Sequence, residues 1–262
     1  MIKLFFSLLL LLFSGFVLAG AACEDIPGKQ RHVPLKIKGG IVCFIEEPLL
    51  DEKSRERYAD AISVYFIPRG LKPVEAEGLG MSYDYDAGKI VEAFTLDVDR
   101  DGKNEVVVIH SFGIRHTQAE PNSSGEVYDV IVFSNKKNIL SRNDRATEWF
   151  GRSYSWFSDG KKVIYKFPYQ TRHSVQQAMA SPFSIFIVRD EVIPVIVKRK
   201  NFLYKSSYGE DITKKYLIAG DKGTVDKSEK GLCRITYTGG KQPLQMWIMC
   251  DALEVDKKGK EQ

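Results

Sequence analysis

From Thr95 to Ile109 the chain reads TLDVDRDGKNEVVVI, and no other stretch restricts the fold so tightly. Asp97, Asp99 and Asp101 alternate, Gly102 follows at once and Glu105 closes the set, with apolar runs on either side. Alternating acids ending in glycine make a turn, and the run EVVVIHS beyond it is apolar at consecutive positions, the pattern of a strand covered on both faces. The local structure is therefore strand, acidic turn and strand, with Ile90 to Leu96 leading in and Glu105 to Ser111 leading out.

The rest of the chain is built from similar strand-length runs bounded by turn residues. A hairpin is expected at Gly39–Gly40, strands at Ser63 to Ile67 and around Tyr83 and Tyr85, and a strand at Val127 to Phe133 turning at Asn135 to Asn138. Trp149 to Phe157 and Val163 to Phe167 read as the arms of a further hairpin, and Phe183 to Val188 as a strand. Two segments read as helix instead, the first as a short helix or helical turn. Asp51 to Ala61 and Thr171 to Ala180 each start on a capping residue followed by helix formers, and Ser181-Pro182 stops the second. After Glu191 short strands follow one another: Val195 to Lys198, Phe202 to Tyr204, Lys215 to Ile218, Gly223 to Val225, Cys233 to Tyr237 and Met246 to Met249. The expected class is mainly β: an antiparallel β-rich N-terminal domain with one or two short helices, over 22–190, then a small C-terminal β-barrel over 191–255 and a polar tail over 256–262.

Residues 1–21 carry one basic side chain, Lys3, an apolar run from Leu4 continuing to Leu18, and small residues at Ala19, Gly20 and Ala21, with Ala22 next. This is the layout of a secretory signal peptide cleaved after Ala19 or Ala21. An uncleaved anchor and a lipid-anchored Cys23 are the alternatives; the first is opposed by the small-residue end, the second by Gly20 in place of the usual leucine. The four cysteines, Cys23, Cys43, Cys233 and Cys250, fit an oxidising compartment, periplasmic or secreted, and allow two disulfides in three connectivities. Proximity favours Cys23 with Cys43 and Cys233 with Cys250. A net charge of +4 in 262 residues is too small to imply a nucleic-acid partner.

Oxygen donors at every second position suit a hard cation, and the expected ion is calcium. The acidic stretch resembles the calcium loops of FG-GAP and integrin-like repeats. That resemblance implies side-chain ligands from Asp97, Asp99, Asp101 and Glu105, the backbone carbonyl of Lys103, and a structural metal. Val108 stands where an EF-hand needs its last acid, so the loop is not of that kind. The C-terminal stretch places Leu203-Tyr204 before a polar loop, Tyr216-Leu217-Ile218 before Gly220-Asp221-Lys222, then the strand Cys233 to Tyr237, and Trp247-Ile248 before Asp251-Ala252-Leu253. In these features it resembles bacterial Src-homology-three-like (SH3-like) domains, with Met246 where that family usually carries glycine. A hairpin closed near Lys241-Gln242 sets Cys233 and Cys250 symmetrically about its turn, so the two are expected directly opposite each other.

No nucleophile elbow, zinc-protease motif, P-loop or dinucleotide fingerprint occurs. His110 and His116 with Asp129 are the residues an enzyme would draw on; Trp149, Tyr154, Trp156 and Trp247 are the candidate binding aromatics. The function expected from the sequence is an exported, non-catalytic binding protein of the cell envelope, stabilised by calcium, holding a protein, a peptide or a peptidoglycan component. An immunity or inhibitor protein against an envelope-acting effector is its specific form, and a cell-wall-directed hydrolase is the alternative.

Overall fold

The computed structural model describes residues 23–76, 79, 87–114, 122–240 and 242–257. The leader, the strand expected around Tyr83 and Tyr85, His116, Lys241 and the tail from residue 258 lie outside them. Antiparallel strands dominate, and the described residues divide into two compact units.

The first unit holds residues 23–76, 79, 87 and 135–141. Its sheet contains β1 (Lys29–Gln30), β2 (Leu35–Ile37), β3 (Gly40–Leu50), β4 (Arg57–Pro68) and β5 (Val74–Glu75), in the order β1-β3-β4-β5 with β2 on β3. The expected Gly39–Gly40 hairpin joins β2 to β3. A Cβ on Gly40 would stand 2.2 Å from the Ile67 carbonyl oxygen, so only glycine lets β4 approach there. Of the short helix or helical turn expected from Asp51, only the turn forms, with the Arg55 N–H donating to the Asp51 carbonyl at 2.9 Å. Asp51 Oδ1 accepts from the Lys53 and Ser54 backbone N–H groups at 3.0 and 2.7 Å, capping this turn, which returns the chain along β3. Pairing then runs from Leu50↔Arg57 to Gly40↔Pro68 and buries Ile62, Val64 and Phe66 completely, a gain that outweighs local helix preference. The Cys23–Cys43 disulfide ties the N-terminal turn to β3, where Ile26 and Ile45 pack around it.

The second unit holds 88–114, 122–134, 142–240 and 242–257. Its first sheet contains β6 (Lys89–Leu96), β7 (Glu105–Gly113) and β8 (Glu126–Lys136). Lys137 and Asn138, both at positive φ and within the 135–141 stretch counted in the first unit, turn the chain into β9 (Ile139–Arg142). Helix α1 (Asp144–Phe150) follows, capped by Asn143, and then β10 (Arg152–Tyr154) completes the order β10-β8-β7-β6. The hairpin expected from Trp149 is shorter, β11 (Trp156–Ser158) against β12 (Val163–Lys166), because Trp149 belongs to α1. Helix α2 (Arg172–Ala180) has the expected cap: Thr171 and Ser174 bond reciprocally to each other's backbone N–H. The strand expected at Phe183 to Val188 is a 3₁₀ turn, Pro182–Ser184, running into α3 (Ile185–Val188). Phe183, Phe186 and Ile187 are buried at helical spacing, and Ser184 Oγ fastens the turn by donating to the Ser181 carbonyl at 2.7 Å.

A seven-stranded sheet completes the unit: β13 (Ile193–Val197), β14 (Asn201–Tyr204), β15 (Ile212–Leu217), β16 (Lys222–Glu229), β17 (Leu232–Tyr237), β18 (Leu244–Met249) and β19 (Leu253–Val255). Its order is β15-β14-β18-β17-β16-β13-β19. The expected boundary at 190/191 lies inside this unit, where one core runs from Val107, Ile109, Val130 and Val132 through Trp149 and Phe167 to Val195, Leu203 and Ile235. Trp149 stacks on Tyr169 and donates its indole N–H to Ser228 Oγ at 2.6 Å. Asp256, expected at the head of a solvated tail, is buried and accepts from Lys222 Nζ at 2.8 Å.

The Cys233–Cys250 bond is present, in a register different from the one expected. Cys233 faces Ile248 across the ladder, and Cys250 lies beyond the last pair, Leu232↔Met249, where its N–H donates to the Gly231 carbonyl. The bridge closes a loop of sequence separation 17. Loops of this length contribute about 3 kcal/mol in the chain-entropy model, so Cys250→Ser is expected to lower unfolding free energy by about that amount in urea titrations. Burial pushes the hydroxyls of Tyr165 and Tyr169 well above the ordinary phenol range. It also raises Tyr204 to about 12, and burial with the charges of Glu47 and Glu75 raises Tyr65 to about 12. Because the folded values exceed the unfolded ones, stability is expected to fall as pH climbs from about 10 towards 12. Tyrosinate absorbance should show Tyr165 and Tyr169 ionising only as the chain unfolds, and Tyr65 and Tyr204 titrating near 12.

Candidate functional site

The connection 97–104 joins β6 to β7 across the pair Leu96↔Glu105. Arg100 at φ 61 and Gly102 at φ 82 reverse the chain, and its carboxylates knit the turn. Asp97 Oδ2 accepts from Gly102 N–H at 3.2 Å, Asp99 Oδ1 from Asp101 N–H at 3.2 Å, and Glu105 Oε2 from Val98 N–H at 2.8 Å. Asp97, Asp99 and Glu105 each bring one oxygen to within 4.8 Å of the others. Oxygens bound to one calcium at 2.3–2.6 Å are separated by at most about 5 Å, so the three can share an ion. Asp101 and Lys103 are engaged with each other: Asp101 accepts from Lys103 Nζ and from its backbone N–H, both at 2.8 Å.

Two features set this cluster apart from an ordinary solvated turn. Glu105 is only 4% exposed, and burial, followed by the charges of Asp99 and Asp101, raises its pKa against the opposing pull of the Val98 N–H. Asp97 Oδ1 is buried and has no hydrogen-bond partner among the described residues. A buried carboxylate oxygen without a donor is costly, and a cation beside it would remove that cost. The donor set fits a hard, oxygen-seeking ion.

Arg100, which the sequence reading passed over, leaves the same loop in another direction. Its Nη2 donates to Ser184 Oγ at 2.6 Å and reaches the Met179 carbonyl at 3.4 Å, near the C-terminal end of α2, where a positive charge is favourable. At the other end of α2, Glu92 of β6 accepts from the Arg172 backbone N–H at 2.9 Å, and the Arg172 guanidinium lies 4.8 Å from the Phe94 ring centroid. Strand β6 and the acidic loop thus hold α2 at both ends. The signal in sequence was an arginine among aspartates, which spacing alone does not interpret.

The candidate aromatics are dispersed. Trp149 is core, Tyr154 and Trp156 are half-buried with Tyr154 edge-on to Phe157, and Trp247 is half-buried on β18 opposite Tyr204 and Arg234. His110 is fully buried on β7 opposite Asp129 of β8. The Asp129 carboxylate accepts from Arg152 Nε and Nη2 at 2.8 and 2.5 Å. Asp129 and Arg152 help line a charged cleft of about 380 Å³ with Arg142, Glu148, Glu229 and Lys230, a set that does not include His110. A face absent from the sequence reading lies on β14 and β15. Phe202 and Tyr216 are direct partners with rings 6.0 Å apart, and Lys200 Nζ sits 4.0 Å from the Tyr216 centroid. Its trace in sequence is the alternation Lys200-x-Phe202 and Lys214-x-Tyr216, which sets cation and ring on one face of a strand.

No protein-family profile, curated protein or solved structure matches the chain. Glu105→Ala leaves the buried Val98 N–H without its acceptor and is expected to lower unfolding free energy by about 2 kcal/mol in denaturant titrations. Glu105→Gln, which keeps an acceptor oxygen, should cost less than about 1 kcal/mol.

Proposed function

We propose that the chain is an exported, non-catalytic binding protein of the cell envelope, with the turn between β6 and β7 pinned by calcium. Two disulfides support an oxidising destination, and no helix among the described residues is long and apolar enough to cross a membrane. The observation that carries the calcium assignment is Asp97 Oδ1, buried without a donor inside a set completed by Asp99 and Glu105. Each of these carboxylates also holds backbone N–H groups of its own turn, so the ion would act as a clasp. In this reading the loop corresponds to a single FG-GAP-like calcium repeat, and the sheet β13–β19 to the SH3-like domain. The partner is a protein, peptide or wall component, and an inhibitor of an envelope-acting effector is the specific form. The hydrolase alternative draws on His110, whose complete burial favours the binding reading.

Calcium at a hundredfold above its dissociation constant stabilises by about 2.7 kcal/mol, which for a unit of this size raises the melting temperature by roughly 5–10 °C. Asp99→Ala should abolish that rise. Identical melting curves in calcium and in chelator would overturn the metal assignment. Capture of a specific protein or wall fragment from native envelopes tests the binding role.

A further inference from the structure

Strand β12 lies beside β14, joined by the Tyr204 hydroxyl donating to the Ile164 carbonyl at 2.6 Å. Between them is a cleft of about 360 Å³. Ile164, Phe202, Tyr204, Ile212 and Met249 give it an apolar floor. Every charged side chain lining it is a lysine: Lys162, Lys166 and Lys200, all exposed. Lys200 is positioned by aromatic faces, 4.0 Å from the Tyr216 centroid and 5.6 Å from that of Phe202, and ring contacts orient a cation without neutralising it. The nearby turn acid Asp159 is taken up by the Lys161 and Lys162 backbone N–H groups, each at 3.0 Å.

We infer that this cleft docks an acidic peptide segment of a partner protein, with an apolar side chain on the floor and carboxylates on the lysine rim. Charge complementarity selects an anionic partner. The concave floor calls for an inserted apolar group, and the neighbouring strand selects a peptide. Ile212 of the lining opens β15, the terminal strand of the seven-stranded sheet, and an extended peptide leaving the cleft along that strand would meet backbone donors and acceptors on its outer edge, the one away from β14. Exposed Val163, Tyr216 and Ile218 extend the apolar surface, while Lys214, on the same face of β15 as Ile212 and Tyr216, extends its positive charge. The inference rests on the binding-protein reading and names the chemistry of the partner.

The test uses the full mature chain and a fluorescein-labelled peptide of alternating glutamate and leucine, read by anisotropy, beside the same peptide with lysine for glutamate. The glutamate peptide should bind at least tenfold more tightly, and added salt should weaken it. Lys200→Glu and Phe202→Ala, both at exposed positions, should each weaken it at least fivefold with an unchanged melting temperature. The double variant Lys162→Glu/Lys166→Glu, which leaves the floor intact, should weaken it further. Equal affinity for the two peptides, or affinity indifferent to all these variants, overturns the inference. Binding to phosphatidylglycerol vesicles without peptide binding overturns it in favour of a membrane surface. A captured envelope partner that ignores Lys200→Glu sinks this docking site while leaving the binding-protein reading intact. Peptide binding through the cleft with no envelope partner has the opposite meaning.

Discussion

A carboxylate that starts a buried strand needs donors close by, and Glu105 obtains them by folding its own turn back over itself. The Val98 N–H reaches it at 2.8 Å while the Val98 side chain enters the core, so one residue satisfies the charge and contributes to packing at once. Asp97 and Asp99 are drawn to the same point, which raises local negative charge and leaves Asp97 Oδ1 without a donor. Arg100, at positive φ, carries one of the loop's two cations to the end of α2, while Lys103 stays with Asp101. The placement of α2 thus depends on how the acidic turn resolves its charge.

The second unit is held together by more than that turn. Trp149, from a helix early in the unit, hydrogen-bonds Ser228 on a late strand, and Tyr165 donates to the Lys230 carbonyl at 2.6 Å. These bonds link the segment before residue 190 to the sheet after it by specific geometry as well as by apolar burial. The β13–β19 sheet accordingly shares its core with the segment that precedes it.

Strands and turns were largely legible in the sequence because they are encoded locally. Gly39–Gly40, the Thr171 cap and the apolar run from Val106 to Ile109 state their structure within a few residues. What failed was decided by distant partners. Asp51 to Ala61 has helical composition, yet after the single turn capped by Asp51 the chain is strand from Arg57, because β3 lies alongside to pair with it. Phe183 to Val188 is an apolar run that suits strand or buried helix equally, and the Ser181 and Ser184 side chains decide for the helical turn. The cysteine pairing was readable from proximity, but its register was not, since the hairpin closes one position earlier than the residues near Lys241 suggest. Of the acidic turn, the alternating acids are plain in the sequence, whereas the capture of Asp101 by Lys103 is a side-chain choice that spacing does not express.

Both disulfides are local, spanning sequence separations of 20 and 17. Within each pair, the partner thiol is only a short piece of chain away. In a chain threaded N-terminus first into an oxidising space, Cys23 and Cys43 are consumed long before Cys233 appears. Under the exported reading proposed above, the order of emergence itself would keep the wrong pairings from forming, and correct oxidation would require little reshuffling of bonds already made.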